Sequence, residues 1–316
     1  MINEANIRKL IDYTLLNACS INSSGLYNGK AGIALALFEA ARYLQDEYIE
    51  EQAFDLLQEA LVNKTEDISF ESGLSGIGYV LLYLIEYEFI EADFDELFEE
   101  QLEKILAGFE KLKENPDVLL NSIRMSYFLT SVQSFHKVNN RMDKSIKSIF
   151  EANELYLAIQ FFDFKDIDYI NNKSTVLERL EIYLQMVHKC RYADYSRVVL
   201  DDYAELYRSG RIMSSSKVAY YLGKIDTEGK YKDVIESNRW YSDFNNVQTL
   251  TLRDRIDLSH LSGDTKALQE IISVENVENL QKVILQTIPK PALVAGYEQG
   301  ISRLLIYLTS NKSILF

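Results

Sequence analysis

Nucleophiles and metal ligands are scarce in this chain, and their spacing limits its chemistry from the outset. The candidates are Cys19, Cys190, His136, His188 and His260. A catalytic zinc needs three protein ligands, chiefly thiolate and neutral imidazole, with a fourth position left open. His188 and Cys190 are two residues apart. On a helix such side chains point about 200° apart, so they cannot grip one ion together. His260 stands as a lone imidazole in "LSHLSGD", residues 258–264. A protein without a metal or other cofactor is expected, with His260 the one residue kept as a candidate ligand. The alternative is a rearranged zinc site that includes His260 and Cys190.

Carboxylates are the other reactive class. Asp and Glu total 48 against 33 for Lys and Arg, a formal net charge of −15. Two carboxyl groups set across a sugar bond are the chemistry of a glycosidase. Glu71, Glu298, Asp201, Asp202 and Glu205 are the candidates for that alternative, although a single tryptophan, Trp240, offers little for sugar stacking. "GLYNGKAG" at 25–32 is not a phosphate loop. Three residues, not four, separate Gly25 from Gly29-Lys30, and Ala31 stands where Ser or Thr would meet magnesium.

The charge also limits partners. With no basic cluster against it, an acidic surface repels nucleic-acid phosphates and anionic lipid headgroups. No uncharged apolar run reaches the length of about 18 residues that a membrane span requires, and no basic-apolar leader opens the chain. Two cysteines are too few for a disulfide framework. The expectation is a cytoplasmic protein with no nucleic-acid partner and no direct membrane insertion.

The elements that position these residues read as helices. Only three prolines occur, Pro116, Pro289 and Pro291, so long helical stretches run uninterrupted. After "GLYNGKAG", residues 33–44 are apolar on nearly every side, which predicts a helix covered all round. Residues 50–62 instead place Phe54, Leu57, Ala60 and Leu61 on one stripe, with Glu51, Asp55 and Glu59 opposite. The same pair follows "SGLSGIGYVLLYL": an apolar helix from Ile77, then a striped acidic one over 94–112. One buried and one outer helix form the repeating unit.

Gly32 and Gly76 are 44 residues apart. "SHLSGDTKALQEI" at 259–271 puts Gly263 in the same frame, and "AGYEQGISRLLIYL" at 295–308 supplies Gly300. At a constant period, three further starts fall near 121, 171 and 213. About seven helical hairpins result. An open stack would leave one face of each buried helix wet and would want polar caps, so a closed ring is expected, with glycines where inner helices crowd at their N-terminal ends. The last helix runs into apolar "SILF", which makes a poor solvent-facing cap.

"GLYNGKAGIALALFEAARYL", "SGLSGIGYVLLYL" and "GYEQGISRLLIYL" resemble the repeated loop-helix motif of the lanthionine synthetase C-like family. The resemblance implies an all-α fold, a double-layered α/α toroid of about seven helical hairpins filling residues 1–316 as one domain. It also implies a place in lanthipeptide-type peptide modification. Family members hold zinc through a cysteine in a Trp-Cys-Tyr-Gly loop and an adjacent Cys-His-Gly, and add peptide cysteines to dehydrated serine or threonine. Neither motif is present here; "LSHLSGD" is the nearest stretch, with Ser259 and His260 in place of cysteine and histidine. The expectation is therefore a zinc-free, accessory or peptide-binding member. An active thioether-forming cyclase and a glycosidase are the alternatives. Its cleft would be lined by Tyr27, Asn28, Glu71, His260, Tyr297 and Glu298. Its partners would be a peptide substrate or precursor peptide and a dehydratase or other modification enzyme.

Overall fold

The computed structural model describes residues 4–63, 65–112, 114–135, 140–164, 173–241, 250–273, 277–288 and 294–310. His136 and the "SILF" stretch lie outside the described residues. All regular structure among those described is helical. The first helices are α1 (Glu4–Ala18), α2 (Lys30–Leu44), α3 (Glu47–Val62), α4 (Leu74–Glu86) and α5 (Phe94–Leu112). Then come α6 (Pro116–Asn121), α7 (Met125–Phe135), α8 (Asn140–Asp163), α9 (Lys173–Lys189), α10 (Arg197–Arg208), α11 (Ser216–Ile225) and α12 (Lys232–Tyr241). They are followed by α13 (Leu252–Ser262), a 3-10 turn (Thr265–Leu268), α14 (Gln269–Ile272), α15 (Val277–Thr287) and α16 (Ile301–Thr309). The chain divides into two compact units, Met1–Ile105 with Phe244–Phe316, and Leu106–Asp243.

In the first unit, α2 packs on α3, α4 and α16, and α16 packs in turn on α1 and α13. The inner row therefore runs α13, α16, α2, α4. The sequence pattern explains it. Every residue from Ala31 to Ala41 and from Leu74 to Leu84 is buried, and each large aliphatic side chain so covered contributes about 1.5–3 kcal/mol. Glu39 is the one acid in the buried run of α2, and it accepts a hydrogen bond from the Tyr83 hydroxyl of α4. Burial first, and then the Glu39 carboxylate, hold that phenol well above the usual tyrosine range.

Outer helix α3 buries a single stripe, Ile49, Ala53, Leu57 and Ala60. The sequence reading placed Phe54 on that stripe. The helix is instead rotated so that Phe54 is 43% exposed, because Ile49 and Ala53, one turn apart, face α2 in its place.

In the second unit, the expected starts near 121, 171 and 213 become α7, α9 and α11. These form an inner row in that order, with α8, α10 and α12 as the outer row. Among the described residues, four inner helices in one unit and three in the other equal the seven starts of the repeat count, although α13 begins at Leu252 and ends before Gly263 instead of starting there.

Candidate functional site at the glycine-loop junction

Three helices of the first unit, α2, α4 and α16, start from loops of the same form. Their N-caps are Gly29, Gly73 and Gly300, all in extended conformation and none with a side-chain cap. In each loop the first helical amide reaches back seven residues: Lys30 N to Ser23 O, Leu74 N to Asp67 O and Ile301 N to Val294 O, at 2.7–2.9 Å. Ser75 and Ser302, both second in their helices, donate to the Ile68 and Ala295 carbonyls. The loops are then joined to one another. Glu298 N donates to Tyr27 O at 2.9 Å, and Tyr27 N donates to Glu71 O at 2.9 Å. These three residues each stand two before a capping glycine, so equivalent positions form one file of backbone hydrogen bonds.

The glycines permit this approach. A Cβ on Gly25 would lie 2.5 Å from the Ser72 backbone of the next loop, and one on Gly296 would strike the Asn28 side chain and lie 3.1 Å from Tyr27 O. At the third helical position, a Cβ on Gly32 would run into the Leu26 carbonyl and lie 2.9 Å from Tyr297 Cβ. None of these has a left-handed backbone; what they supply is space. Two sequence assignments shift as a result. Gly300 is the counterpart of the caps Gly29 and Gly73, and Arg303 occupies the position held by Gly32 and Gly76. Gly263, at φ 68°, closes α13 as a left-handed C-cap and does not open a helix.

The side chains at the junction pair with one another. Tyr27 and Tyr297 are buried, with ring centroids 6.0 Å apart. Asn28 Nδ2 donates to Glu298 Oε2 at 3.0 Å, and Arg253 of α13 donates from Nη1 to Glu298 Oε1 at 3.3 Å. One turn on, Asp257 accepts from Arg303, whose side chain is 1% exposed. Arg253 Nε lies 3.9 Å from the other Asp257 oxygen, and the Arg303 guanidinium sits 5.7 Å from the Tyr297 ring centroid. Burial alone would lower the Arg303 pKa. The Asp257 charge and hydrogen bond, with Tyr297 and Tyr27, together outweigh it and hold the guanidinium above its usual range.

Of the six expected lining residues, Tyr27, Asn28, Tyr297 and Glu298 come together in side-chain contact. Glu71 joins through its backbone carbonyl, and its side chain keeps part of its surface exposed. His260 lies in the third turn of α13, on the face shared by Arg253 and Asp257 at helical spacing. "LSHLSGD" is therefore helix body and cap, not a loop that feeds a helix. Arg253, Asp257 and Arg303 escaped the sequence reading. The available signal was Arg303, the one charge in an otherwise apolar helix, which burial obliges to find a carboxylate.

Zinc does not fit these residues. Glu298 is taken by Asn28 and Arg253 and Asp257 by Arg303, so both carboxylates already face a guanidinium. Among the described residues no group of three or more His, Cys, Asp or Glu is placed to hold a metal. In the second unit, Cys190 is buried beside Ser126, and burial pushes its thiol up to about 11, away from the thiolate a metal needs. His188 faces Tyr221 instead, and burial, then Lys224, lowers its pKa. Of the glycosidase candidates, Asp201 is bound by Lys230, which lowers its pKa, whereas a general acid needs the reverse.

The sequence model for lanthionine synthetase C-like proteins matches residues 6–155. No curated protein and no solved structure gives a significant match. The matched segment, just under half of the chain, carries α1 to α7 and the first two of the three glycine loops, and over that segment the chain is similar to lanthionine synthetase C-like proteins.

Proposed function

We propose that this chain is a zinc-free lanthionine synthetase C-like protein that binds or presents peptides within a lanthipeptide-type modification assembly in the cytoplasm. One observation carries the reading: the loops make close backbone contacts, and the charged groups beside them are paired with each other, Arg253 with Glu298 and Arg303 with Asp257, with no three convergent metal ligands among the described residues. The part-exposed Asn28, Glu298 and Arg253 offer an amide, a carboxylate and a guanidinium to a peptide main chain or its charged side chains. The reading includes the double-layered toroid as one domain over 1–316, supported by inner rows of four and three helices. It also includes a precursor peptide and a dehydratase as partners.

The test is a peptide carrying one cysteine and one dehydroalanine, mixed with protein purified without chelator. Addition of the thiol across the double bond changes no mass, so free thiol is read by alkylation. The expected result is binding that weakens in Glu298→Ala, full retention of free thiol, and zinc well below one per chain. Stoichiometric zinc that vanishes in His260→Ala, with thiol consumed, would overturn the reading in favour of an active cyclase. Oligosaccharide cleavage lost in Glu71→Gln would overturn it in favour of a glycosidase.

A further inference from the structure

A second surface of the first unit shares no residue with the glycine-loop junction. It is a groove of about 860 Å3 bounded by α2, α3 and the stretch from Phe89 to Leu97. Its floor is apolar and buried, including Phe38, Leu57 and Leu81, and its lips are Phe54 and Leu97, 43% and 45% exposed. Its rim is acidic: Glu47, Glu50, Glu51 and Asp55 along α3, and Glu91 opposite. No Lys, Arg or His lines it.

These five carboxylates differ from their neighbours. Asp46 pairs with Arg8 and Glu59 with Lys30, but none of the five makes an ion pair among the described residues. Acids in the first turn complement a helix dipole, which accounts for Glu47 and Glu50. It does not account for Asp55, two turns further on, or for Glu91. Glu47, Glu51 and Asp55 follow one another at i, i+4 spacing, where like charges oppose the helix by about 0.2–0.5 kcal/mol per pair. Arg42, which stacks on the lining residue Phe89 at 3.4 Å and donates to the Tyr87 carbonyl, is turned to that contact.

We propose that this groove receives an amphipathic, lysine- or arginine-rich helical segment of a partner polypeptide. The apolar face would lie on the floor between Phe54 and Leu97, and the cations would follow the α3 carboxylates. From Glu47 to Asp55 these span about 12 Å of helix, enough to engage basic residues on successive turns of a ligand helix. Such helix-in-groove recognition takes its energy from apolar anchors and its specificity from flanking charge. A nucleic acid or an anionic membrane is repelled by the same rim, and a small molecule would leave the exposed lips uncovered.

The probe is a fluorescent synthetic helix of about 15 residues, leucine on one face and lysine on the other, titrated into the full chain. Binding should weaken at least about tenfold in Glu50→Gln/Glu51→Gln/Asp55→Asn, and again in Phe54→Ser, with melting temperatures unchanged. If either variant melts early, hydrogen exchange of the native protein decides: peptide-induced protection over 47–61 supports the proposal, and protection elsewhere overturns it. Equal binding by a glutamate version of the probe would also overturn it. So would a concentration-dependent dimer abolished by Phe54→Ser, which would make a second copy the occupant. Failure here leaves the reading of the loop junction untouched, since that is tested on other residues.

Discussion

Helices in the two units begin in different ways. In the second unit, α10 and α11 start from Ser196 and Ser215, each accepting a hydrogen bond from the third helical amide. In the first, α2, α4 and α16 start from glycines with no side-chain cap. A serine cap satisfies the helix end locally. A glycine loop gives that up, and its backbone turns to neighbouring loops, so Tyr27 is bonded on one side to Glu71 and on the other to Glu298. Helix α13, at the edge of the inner row, returns to the local solution with a capping box of Thr251 and Asp254. The first unit is thus held at its loops by backbone bonds between distant loops, whereas the serine caps of the second are tied to distant segments through side chains, Ser196 N donating to Glu154 and Ser215 Oγ to Glu181.

The largest blow to this contrast would come at the buried pair beside the loops. Asp257→Ala strands the Arg303 guanidinium, and urea unfolding should show a loss of about 3–5 kcal/mol. Adding Arg303→Met should restore most of it; no recovery would mean that Asp257 acts through something other than the pair. Gly32→Ala should cost about 2 kcal/mol, the gain in helix propensity being outweighed by the clash with Leu26 and Tyr297. Ser196→Ala should cost about 1 kcal/mol, the ordinary loss of a cap. Gly223→Ala in α11 carries the opposite sign. Its Cβ would meet only Arg239 and Ile235 at 3.5 and 3.7 Å, so about 0.5–1 kcal/mol of stability should be gained. If both glycine variants moved the midpoint the same way, the close approach at Gly32 would not be what the residue is for.

Much of the architecture was legible because burial leaves a periodic mark. Residues 33–44 and 77–84 have no polar face, and both turn out to be inner helices; the starts near 121, 171 and 213 fall on α7, α9 and α11. Spacing was a poorer guide to the glycines. A glycine can cap either end of a helix or sit inside it, and a count of residues does not separate these roles. Gly263 and Gly300 were therefore set in a frame with Gly32 that neither shares. The site was half legible. Tyr27, Asn28, Tyr297 and Glu298 could be found because they stand beside repeated glycines. Arg253 and Asp257 could not, since nothing in a striped, ordinary helix tells that its charges will meet a carboxylate 45 residues on and a guanidinium 46 residues on.

The file of bonds from Glu298 through Tyr27 to Glu71 ties the opening segment to one made some 270 residues later. During synthesis, at about 5–20 residues per second, the first loop waits on the order of tens of seconds before its second neighbour leaves the ribosome. Until then α2, buried from Ala31 to Ala41, has one flank open. The intervening residues 106–243 form a unit of their own and can settle in that interval. Throughout that interval the flank of α2 that α16 covers stays exposed.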